Sequence, residues 1–146
     1  MIAQEIESAI KMLHVVKEVL IAAPVDIVFQ TVLEPHGPMK EMSMKLEPWP
    51  GGRWFRDLGN NTGHLWGHVQ VIKPPKLLEL VGPTMMSYPA ISHVQYRVTE
   101  QPNGTLLKFT HQAIGLIEPG LEMGVNKGWG EMLDLIRMAA EKKRAV

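Results

Sequence analysis

The chain has 146 residues, of which 45% are hydrophobic and 21% are charged, and its formal net charge is zero. The length is typical of one domain with a substantial core, and the balanced charge gives no electrostatic basis for binding nucleic acid. The absence of cysteine excludes thiolate chemistry and favours a cytoplasmic location. No apolar run is long enough to span a bilayer. We therefore expect a single domain over residues 1–146, with residues 1–12 as an N-terminal extension.

The first half of the chain predicts a strand and then one or two short helices. Residues 14–22, HVVKEVLIA, are rich in β-branched residues and are typical of a strand. A helix is predicted to begin at Pro24, because apolar residues recur there every three or four positions. It ends before Pro35, and residues 39–44 could form a second short helix.

From Lys45 onward the sequence predicts strands that follow one another through short turns. Those with clear bounds are 53–58, 63–72, 76–81, 92–99 and 105–114. Hairpin turns are indicated at Gly59-Asn60-Asn61 and at Pro102-Asn103-Gly104. Strands that follow one another so closely form an antiparallel sheet, and one face of that sheet needs a cover.

The last quarter of the chain predicts a long helix, Pro119–Lys143, that covers the sheet. Its apolar residues occupy a little over half of the circumference, and charged residues occupy the rest. Gly124, Gly128 and Gly130 lie inside this helix, where each glycine costs about 1 kcal/mol relative to alanine. Gly128 lies on the apolar face beside Trp129, so the packing face has a gap. This gap predicts a ligand cavity between Trp129 and the strand that bears His111.

The order of these segments resembles a known family. A strand, AAPVDIVFQTVLEP, PWPGGRWFRD, GHVQVIKPPKLLEL and a terminal GWGEMLDLIRMAAE together resemble the SRPBCC (START/Bet v 1-like) superfamily. The most similar branch is that of the C-terminal domain of the Hsp90 ATPase activator (AHSA1-like), and the resemblance runs from about His14 to about Glu141.

The resemblance implies an α+β helix-grip fold. In this fold a curved antiparallel sheet of six to seven strands wraps around a long C-terminal helix, with one or two short helices after the first strand and a cavity between sheet and helix. It implies little about chemistry, because the superfamily contains lipid carriers, cyclases, dehydratases and ring-hydroxylase subunits, and fold does not determine function.

The strand His64-Leu65-Trp66-Gly67-His68 carries two histidines around a tryptophan. Strict alternation places His64, Trp66 and His68 on one face, with Gly67 at an outward position or a bulge. Facing the helix, the histidines could anchor a ligand, act as an acid–base pair or bind a metal. Facing outward, they are simply solvated. No carboxylate joins them at ligand spacing, so we expect no metal.

Three further polar residues are candidates. His111 shares the apolar face of its strand with Phe109, where it is either a hydrogen-bonded core residue or a ligand anchor. Tyr96 points inward, and its hydroxyl needs a partner. Glu122 borders the apolar stripe of the last helix, where it either faces the cavity mouth or simply favours the helix dipole.

Our leading hypothesis is that the cavity binds a small, largely hydrophobic molecule, with no cofactor, no metal and no nucleic acid, and with a homodimer left open. The expected ligand-binding residues are Trp54, His64, Trp66, His68, Met85, Met86, Tyr96, Phe109, His111, Glu122, Val125, Trp129, Met132 and Leu133. One alternative is a cyclase-, dehydratase- or hydrolase-like enzyme that uses the cavity histidines as acid and base. The other is an Hsp90-type chaperone interaction module. The sequence assigns no catalytic residue.

Overall fold

The computed structural model describes residues 9–87 and 89–145, so most of the predicted N-terminal extension lies outside the described residues. The described part of the chain folds into seven strands and three helices. In chain order these elements are β1 (Lys11–Ile21), α1 (Val25–Val32), α2 (Pro38–Glu41), β2 (Met44–Leu46), β3 (Arg53–Gly59), β4 (Thr62–Lys73), β5 (Leu77–Gly82), β6 (Ala90–Gln101), β7 (Gly104–Gly115) and α3 (Leu121–Ala145).

The seven strands form one curved antiparallel sheet in the order β1-β7-β6-β5-β4-β3-β2. Strands β2 to β7 are neighbours in chain order because each is joined to the next by a short connection, whereas β1 pairs with β7, the last strand of the chain. At the β3–β4 turn, Asn60 and Asn61 have φ values of 53° and 60°, the left-handed conformation that asparagine tolerates better than most residues. Because α3 packs on the sheet, the predicted α+β helix-grip fold is confirmed.

The core lies between the concave face of the sheet and α3. Alternate residues of β7, among them Leu107 and Phe109, are fully buried, and α3 contributes Trp129, Leu133 and Ile136 from one face. Burying a side chain of this size contributes about 1.5–3 kcal/mol. The apolar side chains that recur at the helical period of α3 and those that alternate along the strands therefore pack against each other in one apolar layer, as the sequence pattern predicts.

The main differences from the predicted elements are in the strands. β1 begins at Lys11, three residues before the predicted start at His14. The three-residue strand β2 was not identified from the sequence; it pairs Met44 with Arg56 and Leu46 with Trp54. Three residues are too few to show the alternation of polar and apolar side chains that identifies a strand. The extended conformation of β2 instead depends on its pairing with β3. Within the described residues, no helix is long and apolar enough to cross a membrane.

A β-bulge in β4 changes which histidines face the core. Trp54 pairs with Gly67 and Phe55 pairs with Leu65, so that Trp66 is an extra residue on β4. After the bulge Val69 is buried and His68 is exposed. The prediction that His68 shares a face with His64 and Trp66 is therefore wrong.

Close contact between strands accompanies the bulge. A Cβ atom at Gly67 would lie 2.6 Å from the carbonyl oxygen of Val81 in β5. Only glycine fits this approach without a shift of the backbone. Of the two roles predicted for Gly67, the structure supports the bulge.

Candidate functional site

A chain of buried hydrogen bonds begins at the C-terminal helix. The indole N–H of Trp129 donates to Nδ1 of His111 over 2.9 Å. Nδ1 is therefore the unprotonated nitrogen, so Nε2 carries the proton and donates to Oγ of Ser92 over 2.8 Å. Burial lowers the pKa of His111 to about 4. His111 is thus neutral at neutral pH, and both of its ring nitrogens are engaged.

The same chain continues to the loop after β5. Oγ of Ser92 lies 3.2 Å from Oγ1 of Thr84, and the backbone N–H of Thr84 donates to the carbonyl oxygen of Trp66 over 2.8 Å. Thr84 has a φ of 56°, which a β-branched residue rarely adopts. These bonds hold the loop that carries Met85 against β4 and β6.

The cavity does not lie where the sequence placed it. The side chains of Trp129 and His111 are in direct contact, with ring centroids 5.8 Å apart, so nothing fits between them. The prediction of a cavity between Trp129 and the strand bearing His111 is therefore wrong. The open space lies on the other side of Trp129.

An apolar groove of about 490 Å³ runs between the first half of α3, helix α2 and the β4 bulge. We call it the α3 groove. Its lining residues are Pro38, Met39, Met42, Trp66, Met85, Gly120, Leu121, Gly124, Val125, Gly128, Trp129, Glu131, Met132 and Leu135. Apart from Glu131, the side chains in this set are apolar, and they include two indole rings and four flexible thioethers.

Three glycines keep one side of the α3 groove open. Gly124 and Gly128 are four residues apart, so they lie along one line of the helix surface, and Gly120, with a φ of 84°, lies in the turn just before the helix. A Cβ atom at any of the three would meet no neighbouring side chain or strand within 4 Å. The gap that the sequence indicated at Gly128 is thus present, and it extends one helical turn back to Gly124 and on to Gly120 in the preceding turn.

A small cavity of about 40 Å³ adjoins the groove. It shares Met39 and Met132 with the groove and extends to Tyr96 and Trp54. Burial raises the pKa of the Tyr96 hydroxyl well above its usual value, so the hydroxyl stays protonated and can donate a hydrogen bond.

The groove brings together five of the fourteen predicted ligand-binding residues: Trp66, Met85, Val125, Trp129 and Met132. Two more, Trp54 and Tyr96, line the small cavity. Four others are buried in the core and line neither space: Met86, Phe109, His111 and Leu133. Of these, Phe109 stacks against Trp129 at 4.5 Å between ring centroids and so supports the groove wall from behind.

The remaining three predicted residues lie apart. His64 is half-buried, and its ring centroid is 6.3 Å from that of Trp66. His68 is exposed on the opposite face of the sheet, and Glu122 is exposed on α3 outside the groove. The histidines are therefore not brought together. No cluster of three metal-ligating side chains occurs within 9–87 and 89–145.

The predicted site omitted much of the groove. Met39 on α2, Met42 just after it, and Leu121 and Leu135 on α3 also line the groove and are not among the predicted residues. Leu121 and Leu135 lie on the same face of α3 as Gly124 and Gly128. A helical projection of the sequence would therefore have placed both leucines beside the gap. Met39 and Met42 reach the groove only because the tertiary fold brings this part of the chain beside Trp66 and α3, which no local pattern indicates.

One comparison identifies the class of protein. The chain belongs to the family described as "Activator of Hsp90 ATPase homolog 1-like protein", whose model matches residues 22–141. This is a family of the SRPBCC type, so the predicted resemblance is confirmed. No curated protein matches the chain.

Solved structures share the fold at low sequence identity. An uncharacterized protein from Rhizobium leguminosarum is 21% identical, with a TM-score of 0.69 over 92% of this chain and 97% of that one. Mll3558 from Rhizobium loti is 16% identical, with a TM-score of 0.71 over 90% and 99% of the two chains. CalU16 from Micromonospora echinospora is 21% identical, with a TM-score of 0.61 over 93% and 88%. These similarities concern the fold alone.

Proposed function

We propose that this protein binds a small, largely hydrophobic molecule in the α3 groove. The observation that supports this is the groove itself, whose volume of about 490 Å³ is within the range of small-molecule sites, roughly 300–1,000 Å³. An apolar ligand gains roughly 25 cal/mol for each Å² of apolar surface removed from water.

The wall of the groove supports a flat or flexible apolar ligand. Trp66 and Trp129 offer aromatic surface, and each is held in place, Trp66 by an edge contact with Trp54 at 5.1 Å and Trp129 by its bond to His111. Met39, Met85 and other methionines can change rotamer to fit different shapes. Glu131 is the ionisable group at the rim, which disfavours an anion at that end.

The test is to fill the groove from the glycine side. Gly128→Leu places a side chain where a Cβ atom now meets open space, so it occupies the groove without displacing the core. We expect N-phenyl-1-naphthylamine, a neutral fluorescent probe, to bind the native protein and to bind the variant at least about tenfold more weakly, a loss of 1.4 kcal/mol.

The matched control is Asn126→Leu, which adds the same side chain to an exposed position of α3 outside the groove. Its affinity for the probe should equal that of the native protein. Equal binding by Gly128→Leu, or no binding by the native protein to this probe and to a panel of lipids and aromatic metabolites, contradicts the proposal.

The chaperone alternative is supported by the description of the family and by no feature of the groove. It is tested by adding the purified protein to Hsp90 and measuring ATP turnover. An unchanged rate removes this alternative and leaves the ligand proposal intact.

A further inference from the structure

A second depression lies between the loop after α1 and strands β2, β3 and β4. It shares no lining residue with the α3 groove. Its charged lining residues are Glu34, Lys45, Glu47, Arg53, Arg56 and Asp57. The way in which these charges pair determines what the depression can bind.

Each of the three carboxylates is bound to a cation other than Arg56. Glu47 accepts two side-chain hydrogen bonds from Arg53, at 2.9 and 2.7 Å, which hold the pKa of its carboxyl at about 2. Asp57 accepts from Lys45 over 2.9 Å, and Glu34 accepts from Lys143 over 2.7 Å. The acidic side chains of the depression therefore have their counter-charges already.

Arg56 is different from these cations. Its side chain makes no ion pair with any residue that the structure describes, and its Nε is buried without a hydrogen-bond acceptor there. Leaving a charged donor buried without an acceptor is costly. Arg56 alternates with Phe55, which lies under the guanidinium of Arg53, and shares the face of the buried Trp54. Its guanidinium thus belongs to the concave side of the sheet.

His64 stands directly opposite Arg56 in the β3–β4 pair. Side chains directly opposite on one face have Cβ atoms roughly 4.5–5.5 Å apart. His64 lies on the same side as Trp66, whose ring is 6.3 Å away, so it too faces inward. On the other side of Arg56, the buried Met44 of β2 supplies an apolar boundary. The guanidinium of Arg56 and the imidazole of His64 therefore line the same part of the depression.

We propose that Arg56 and His64 form a binding site for the carboxylate of a small molecule. A planar carboxylate fits the fork of a guanidinium side-on, accepting from Nε and one Nη, and an imidazole N–H can donate to the same group. A change of the Arg56 rotamer turns the buried Nε toward the depression, where the bound carboxylate supplies the acceptor that Nε lacks. This site does not depend on the hydrophobic groove, and nothing in the proposed function assigns it.

The experiment observes the Nε–H group itself. In a ¹H–¹⁵N spectrum of the native protein, the Arg56 Nε–H resonance is assigned by its loss in Arg56→Lys. Sodium benzoate is then titrated against sodium chloride of equal ionic strength. We expect a saturable downfield shift of Arg56 Nε–H with benzoate alone, and no such shift for Arg97, an exposed arginine of β6.

Calorimetry provides the affinity. Arg56→Met and His64→Leu should each weaken benzoate binding at least about tenfold, since each removes a charge-assisted or polar contact, whereas the control Arg97→Met should leave it unchanged. Gly128→Leu should also leave it unchanged, which separates this site from the groove. The proposal is overturned by an unsaturable shift at Arg56, by an equal shift at Arg97, or by inorganic phosphate saturating the site at lower concentration than benzoate.

Discussion

The bond between Trp129 and His111 shows how single residues determine what the site can do. A histidine on an apolar strand face is compatible with a core role or with a ligand role, and the sequence pattern left both open. In the structure its two nitrogens are engaged by Trp129 and by Ser92, and its ring is fully buried. His111 is therefore a fixed link between the helix and the sheet, and it positions the Trp129 wall of the α3 groove.

Replacing Trp129 by phenylalanine removes the donor to Nδ1 of His111 and leaves that buried acceptor without its partner. Such a loss costs about 1–3 kcal/mol beyond the change in volume. Trp54→Phe, with the same change in volume outside the polar chain, is the control. Denaturant unfolding should show Trp129→Phe to be the less stable variant by at least about 1 kcal/mol. Equal stabilities of the two variants would contradict this role for the bond.

The lowered pKa of His111 predicts a pH-dependent stability. An unfolded histidine titrates near 6.5, whereas burial holds folded His111 at about 4, so between these values the unfolded chain binds more protons. Stability should fall as the pH drops through this window, by about 3 kcal/mol in total at 1.36 kcal/mol per pH unit. Above the window the contribution is complete.

Unfolding measured across this window in native protein and in His111→Gln checks the prediction. The other histidines are present in both proteins and affect the pH dependence of stability equally. The difference between the two plots of unfolding free energy against pH is therefore due to His111. Identical slopes would mean that burial does not shift this pKa.

At the scale of elements, the glycines fall into two groups with opposite roles. In α3 they leave space: Gly124 and Gly128 face the groove, and a Cβ atom at either position would have no neighbour within 4 Å. Between β4 and β5 they permit contact: a Cβ atom at Gly82 would lie 2.3 Å from Cα of Gly67. Composition alone does not separate these groups, because only the neighbouring strand or open groove distinguishes them.

Alanine substitutions should therefore have opposite signs. Gly124→Ala should stabilise the protein by about 0.5–1 kcal/mol, because alanine is the better helix former and its methyl group meets nothing. Gly82→Ala should destabilise it by about 1–3 kcal/mol, because the strand backbones must separate. Thermal unfolding of the two variants measures both signs, and a destabilised Gly124→Ala would mean that α3 is not helical at that turn.

Across the whole molecule, α3 is fastened unevenly. Near its end, Glu141 accepts from the backbone N–H of Ala22 over 3.0 Å, and Lys143 donates to Thr31 and Glu34 of the α1 region. Its first two turns instead line the open groove and carry two glycines, with most of their residues exposed. The two halves of one helix thus differ in what holds them.

We expect backbone amides of residues 121–128 to exchange with deuterium faster than those of residues 132–141, since local opening costs least where few apolar contacts are lost. Saturating N-phenyl-1-naphthylamine should slow exchange in the first half while leaving β6 and β7 unchanged. Uniform exchange along α3 would show that its glycine-rich start is as firmly held as its end. No slowing with bound probe would place that probe outside the groove.

The fold was largely predictable because it depends on local signals. The helical period of α3, the two-residue period of β7 and the turn at Asn60-Asn61 each act over a few neighbouring residues, and together they allow few arrangements of the chain. The position of His68 was not predictable, because one extra residue at the bulge reverses every side chain after it.

By itself, then, the sequence determined the class of fold, the covering helix and the gap at Gly128, since periodicity and glycine placement are properties of neighbouring residues. Only the tertiary structure decided that Trp129 closes on His111 and that the open space lies toward Met39, Met42 and Trp66. It also decided that Arg56, among the cations of its depression, makes no ion pair within the part of the chain that the structure describes. These features depend on contacts between residues that are far apart in the chain. Such residues come close to one another only when the sheet curves and α3 packs against it.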